Sequence, residues 1–200
     1  MHPKRFLTAF IAVSALFISA ANAATWTIDK AHSEVGFDAV HMMISNVHGT
    51  FTDYDATVQF DPKDPASLSI DATVRTASVN TNNERRDGHL KSSDFFDVEK
   101  FPAMTFKSKK TEKLGDGHFK ATGDLTLRDV TKEITLDVNG LATIIKDMQG
   151  NMRTAATATA TINREDFGLM WNKILEGGGV LVSKDITIRI SVELVEQKPE

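Results

Sequence analysis

Between Asp185 and Leu194, the side chains of Ile186, Ile188, Ile190, Val192 and Leu194 alternate strictly with Thr187, Arg189, Ser191 and Glu193. Successive side chains of a strand point to opposite faces, so this period of two makes one face apolar and the other polar, as in a half-buried strand. The pattern recurs at Val35/Phe37/Ala39, Ala56/Val58/Phe60, Leu68/Ile70/Ala72/Val74, Met104/Phe106, Phe119/Ala121/Leu125/Leu127, Ile134/Leu136/Val138 and Ala156/Ala158/Ala160/Ile162, which gives eight strands in all. The register slips between Phe51 and Ala56 and again at Asn139-Gly140, as bulges would make it do. The expected fold class is therefore all-β, an eight-stranded antiparallel barrel, because closure removes the unpaired edges that such strands would otherwise expose. A two-sheet sandwich is the alternative.

The connections sort themselves by length. Asp61-Pro62-Lys63-Asp64-Pro65, Leu114-Gly115-Asp116-Gly117 and Asp147-Met148-Gln149-Gly150-Asn151 are compact turns built from Gly, Pro, Asp and Asn, residues that supply turn dihedrals. In an up-and-down order, connections alternate between the two ends of the barrel. The opposite end then collects His41 to His48, a long insertion from Asn80 to Pro102, the tight Arg128-Asp129 turn and a second insertion from Arg164 to Gly179. In the first insertion, Thr81 and Glu84 have capping-box spacing and predict a short helix, which Gly88 weakens. Arg85 and His89 would share one of its faces, and Arg86 and Leu90 another. Phe95 and Phe96 follow Ser93, which reads as a cap, and these aromatics are placed to plug the barrel end.

Residues Met1 to Ala23 combine a basic head (Lys4, Arg5), an apolar run from Phe6 to Ala20 and the small-x-small tripeptide Ala21-Asn22-Ala23. This reads as a cleaved secretory signal. The run is shorter than the roughly 20 residues that cross a bilayer. The expected domain is one unit from 24 to 200, periplasmic and without a stable membrane anchor. Removing Lys4 and Arg5 from 23 basic residues against 27 acidic ones leaves a net charge of −6. Such a chain offers no basic field to nucleic acid. It has no cysteine, so stability must come from packing rather than disulfides.

Four segments resemble the YceI-like polyisoprenoid-binding family, in that family's order: "IDKAHSEVGFDAVHM" (Ile28 to Met42), "RRDGHLKSSDFFDVEKFPAMTF" (Arg85 to Phe106), "GDLTLRDVTKEITL" (Gly123 to Leu136) and "INREDFGLMWN" (Ile162 to Asn172). One departure is Asp129, where the family commonly has Gly after the arginine of the turn. The resemblance implies a lipocalin-like barrel holding a long isoprenoid or fatty amphiphile, with no cofactor and no catalytic step. The residues are compatible with that. Alternate positions along Thr154 to Ile162 are Ala or Thr on either face, which leaves room in a lumen. The apolar faces that would line it run through Phe37, Met104, Phe106, Leu125, Leu127, Ile134, Leu136 and Ile188. A strand packed against larger neighbours would show the same alanines.

Candidates for other chemistry are weaker. The histidines after Ala23 (His32, His41, His48, His89, His118) lack the close spacing of compact metal motifs, and no nucleophile elbow occurs. Gly177-Gly178-Gly179 does not follow a strand with dinucleotide-binding spacing and reads as a hinge or close backbone approach. Arg85, Arg86, Arg128, Arg164 and Lys173 would gather at the elaborate mouth, where a guanidinium could grip a polar head group. Arg128, His89 and Arg164 are the head-group candidates; Arg86 reads as structural. Acids beside Arg86 and Arg164 leave structural ion pairs as the alternative. The expected function is a binding or carrier protein for a long-chain isoprenoid-like lipid. The alternatives are an enzyme or electron-transfer accessory acting on a quinone or prenyl diphosphate, and an envelope stress protein with an incidental cavity.

Overall fold

A computed structural model describes residues 23–198; the signal-like segment before them lies outside the described residues. Strands run over Ala24–Ile28 (β1), Glu34–His41 (β2), Ser45–Phe51 (β3), Tyr54–Asp61 (β4), Asp64–Arg75 (β5) and Val79–Asn80 (β6). One helix, Glu84–Lys91 (α1), precedes Ala103–Gly115 (β7), His118–Leu127 (β8), Val130–Gly140 (β9), Ile145–Lys146 (β10), Met152–Asn163 (β11) and Val182–Glu196 (β12).

The pairing is antiparallel throughout and closes into a ring of eight staves. β1 and β2 form one stave, interrupted at residues 29–33, and β3 and β4 form the next, interrupted at Thr52-Asp53. β5, β7, β8, β9, β11 and β12 follow in chain order. Closure comes from β12, which pairs along β11 on one side and with both β1 and β2 on the other. The barrel thus takes the place of the sandwich, with its sides left without a free edge.

Eight staves were legible as eight alternating runs, but their bounds were not. β1 and β3 escaped, and His48 belongs to β3 rather than to a loop. β3 reads Ser-Asn-Val-His-Gly-Thr-Phe, and its inward position opposite Phe37 is Gly49, so no apolar alternation announces it. The Phe37 ring occupies the space that a Cβ on Gly49 would need, 2.3 Å from that position. The expected slip at Asn139-Gly140 is a strand end rather than a bulge: Gly140 has φ +133° and lies against the Ala155 carbonyl. The tight turn after β8 places Arg128 (φ 52°) and Asp129 (φ 58°) in the left-handed region. That is the primed geometry which matches hairpin twist, and Asp tolerates it in place of Gly.

Turn parity places the β2–β3 turn, the Thr76–Pro102 segment, Arg128-Asp129 and the Arg164–Leu181 segment at one end. The β4–β5, β7–β8 and β9–β11 connections occupy the other. This second end is packed shut. Trp26, Phe60 and Phe119 are at most 1% exposed, and Trp26 stacks on Phe60 at 5.0 Å between centroids.

Beside this floor, Arg153 of β11 joins three carboxylates. It donates to Asp29 Oδ2 and Asp147 Oδ2 at 2.7 Å each, and to Glu193 Oε1. One guanidinium thereby links the β1–β2 break, the β9–β11 connection and the end of β12. Hydrogen bonding to Arg153 is the main reason why the Asp29 and Asp147 carboxyls drop from 3.8 to about 2. Groups with depressed native pKa values stabilise the fold above their unfolded pKa and lose that contribution as pH falls through the native one. The urea midpoint of the wild type is accordingly expected to fall between pH 3.8 and about 2. Arg153→Gln should lower the midpoint at neutral pH and flatten its acid limb. An unchanged acid limb in the variant would show that the network does not set acid stability.

Candidate functional site

Above the packed floor, the inward positions become small. Ala56 faces Ala72 across the β4–β5 pair, Ala156 faces Val192, and Ala158 lies between Val138 and Ile190. Side chains this short cannot meet across an eight-stranded barrel, and the space they leave is a cavity of about 240 Å³. Its wall is almost wholly aliphatic and aromatic. All eight residues read from alternation line it: Phe37, Met104, Phe106, Leu125, Leu127, Ile134, Leu136 and Ile188. Ala156 and Ala158 line it too, whereas Ala160 packs against the core without being part of the wall.

The first insertion roofs the cavity. Asn83 caps α1, accepting from Arg86 N at 3.0 Å, in place of the expected Thr81. Thr81 instead donates to Asp87 Oδ1 and receives Arg86 Nε at 2.7 Å, while Arg86 Nη2 reaches the Thr81 carbonyl. Arg86 is thus a structural tie, as the sequence suggested. Ser92, not Ser93, closes the helix through the His89 carbonyl. The chain then turns Phe95 and Phe96 inward, 6% and 8% exposed, and both line the cavity with Leu90. Phe96 meets Phe51 edge-on at 5.7 Å. The segment is anchored where buried Thr76 donates to the Phe101 carbonyl at 2.7 Å.

The head-group candidates separate here. Arg128 uses Nη1 to bind the carbonyls of Phe95 (2.9 Å) and Gly168 (3.0 Å), and its guanidinium lies 5.5 Å from the Phe101 ring centre. It joins the two insertions to each other and does not line the cavity, which corrects its expected place as the leading head-group donor. His89 pairs with Asp94 at 2.8 Å and packs edge-on against Trp171 and Phe95, on the outer side of the roof. Arg164 alone of the three lines the cavity. It is 3% exposed, with Nε on the Ser183 carbonyl at 2.9 Å and Nη1 on that of Leu169. Burial pushes its guanidinium below the usual pKa. Alternation could not single out Arg164, because it begins a connection rather than sitting within a strand.

Of the remaining features, Gly179 makes the close approach expected of the glycine run, against the Met43 side chain. His48 binds Asp38 at 2.6 Å on the outer face of β2 and β3, and His89 is engaged by Asp94. Among the described residues, Asp29, His32 and Glu193 form a cluster of metal-ligand type. Arg153 already lies between its two carboxylates and supplies the positive charge there. No described helix is long and apolar enough to cross a membrane.

Comparison with known proteins places this geometry. A model of the YceI-like domain matches residues 26–194. The UPF0312 protein of Staphylococcus aureus strain N315 is 40% identical over 168 residues, which cover 84% of this chain and 95% of that protein. The crystal structure of the Campylobacter jejuni YceI protein superposes with a TM-score of 0.69 at 40% identity, covering 86% of this chain and 98% of that one. Burkholderia cenocepacia BcnA (TM-score 0.71, 22% identity, 83% and 98% covered) shares the fold. So does a polyisoprenoid-binding domain from Saccharophagus degradans (TM-score 0.61, 13% identity, 87% and 99% covered).

Proposed function

Because the chain belongs to the YceI-like domain family, we propose that it binds and carries a long-chain isoprenoid or similar amphiphilic lipid within its barrel. The supporting observation is the cavity itself, roofed by two insertions and walled by apolar side chains around a belt of alanines. An empty apolar space in a protein interior forfeits contacts that a hydrocarbon chain would restore. Burying on the order of 600 Å² of such a chain contributes a gross ~15 kcal/mol at ~25 cal/mol per Å², before substantial immobilisation costs. The Saccharophagus domain, named for polyisoprenoid binding, uses the same fold.

The signal-like N-terminus supports a periplasmic site of action. The reading contains no chemical step, and the ligand leaves as it entered. The test is native mass spectrometry of the protein isolated from its own host, followed by extraction and lipid analysis. An unmodified prenyl or acyl species bound to a chain beginning at Ala24 is the expected result. A protein that arrives empty and takes up no prenyl or acyl probe would overturn the reading.

A further inference from the structure

Exposed apolar side chains gather at the mouth of the barrel. The β2–β3 turn carries Met42, Met43 and Ile44, and Ile174 stands on the hairpin of the second insertion; Ile44 and Ile174 are 83% and 86% exposed, and Val40 and both methionines are exposed as well. The two tips lie side by side. Met42 N donates to the Leu181 carbonyl at 2.8 Å, Leu181 N donates to that of Lys173 at 2.9 Å, and the Met43 side chain fills the space that a Cβ on Gly179 would need. At the packed end, exposed apolar residues stand on separate turns beside charges: Leu114 next to the Lys113–Asp116 pair, and Met148 next to Asp147, which Arg153 holds at 2.7 Å.

The β2–β3 turn keeps its apolar tip against its own backbone preference. Ile44 N closes the turn on the His41 carbonyl at 3.1 Å, and Met42 (φ 51°) and Met43 (φ 62°) both occupy the left-handed region. Asn and Gly adopt those dihedrals at least cost, whereas methionine suits neither them nor exposure to water. The tips are also cleared of acids. In a chain with 27 acidic residues, none occurs between Asp38 and Asp53, and Glu176 alone lies between Asp166 and Asp185, in company with Lys173 and Lys184. Carboxylates at the tips would be repelled by lipid phosphates.

Val40, Met42, Met43, Ile44 and Ile174 together expose on the order of 500 Å² of mostly apolar surface, a size that marks a contact site yet falls short of the ~800 Å² that each partner gives to a stable protein interface. A fluid lipid surface needs no matching contour, and flexible, unbranched methionines adapt to it. We propose that the mouth end docks reversibly on a lipid bilayer, with Met42, Met43, Ile44 and Ile174 set among the lipids at the headgroup boundary. Docking in this orientation brings the cavity to the membrane. Ala39 and Val182, beside the two tips, belong to its wall, and the β2–β12 ladder is interrupted just there, with Ser183, Lys184 and Asp185 standing opposite Val40 alone. Loading of the lumen through this seam rests on the lumen-binding reading above; the docking itself does not.

The test is flotation of the protein that begins at Ala24, free of the apolar N-terminal run, with vesicles of phosphatidylcholine, alone and mixed with phosphatidylglycerol. Binding to both, kept at salt concentrations that screen surface charge, is the expected result. Ile44→Ser together with Ile174→Ser should weaken vesicle binding at least about tenfold and leave the urea midpoint unchanged, because both side chains are exposed. The chain has no cysteine of its own, so Ile44→Cys takes a single environment-sensitive nitrobenzoxadiazole label. Its emission should shift to the blue on vesicles, while the same label at Asp116→Cys, on the packed end, should not respond. Absence of flotation with either vesicle, binding undiminished in the double variant, or an equal response from the two labels would overturn the proposal. So would a wild-type dimer that the double variant breaks, since the patch would then be an interface between copies. Vesicle binding by a protein that takes up no prenyl or acyl probe would support the docking face and overturn the lumen reading alone.

Discussion

Leucine at both Ala156 and Ala158 is expected to lower lipid affinity by at least about tenfold while leaving the unfolding midpoint near that of the wild type. Both alanines line the cavity, between the side chains of β9 and β12. Added methylenes forced into a dry, filled core cost typically about 1–3 kcal/mol, because neighbours must leave their rotamers. In an open lumen the same methylenes meet empty space and cover apolar wall, so the fold tolerates them and the ligand loses its volume. Urea unfolding alongside titration with a fluorescent acyl probe separates the two outcomes. Strong destabilisation with unchanged binding would mean that this part of the barrel is packed rather than hollow.

Trp26→Ala should do the reverse. Trp26 is fully buried, stacked on Phe60 and outside the cavity wall, so its removal empties a packed site rather than enlarging a lumen. Large-to-small replacements of buried aromatics cost about 3–5 kcal/mol, the lost transfer free energy plus that of the hole left behind. Its Nε1 has no hydrogen-bond partner among the described residues, so no polar bond is lost to add to this. A loss below about 1 kcal/mol in urea unfolding would show that the floor does not carry the stability assigned to it here. The pair of experiments tests a division of the barrel into a packed end that holds the fold and a hollow part proposed to take the ligand.

Much of this was readable beforehand. Alternation along β2, β7, β8, β9 and β12 marked one apolar face on each, and the eight residues named on those faces border the cavity. What alternation missed is equally specific. β3 went unseen because Gly49 stands where an apolar side chain would have marked the inner face, its place filled by Phe37 from the next stave. The helix cap moved from Thr81 to Asn83 because Thr81 is taken by Asp87 and Arg86.

The arginines show most clearly where local reading ends. Sequence order and turn parity were enough to bring Arg86, Arg128 and Arg164 to the same end of the barrel, since in a meander every second connection shares an end. Which of them faces the lumen depends on contacts made across 33 and 40 residues by Arg128 and on the burial of Arg164 beneath Phe95. The sequence by itself determined the faces of the eight alternating runs and, given an up-and-down order, the sorting of connections, because both follow from side-chain period and chain direction; closure was settled by the pairing of β12 with β11 on one side and β1 and β2 on the other. Only the tertiary structure decided that the alanine belt is a cavity rather than a tight seam, and that Arg164 is the charge within it. Volume and desolvation are set by what lies opposite, and residues far apart in the chain supply that.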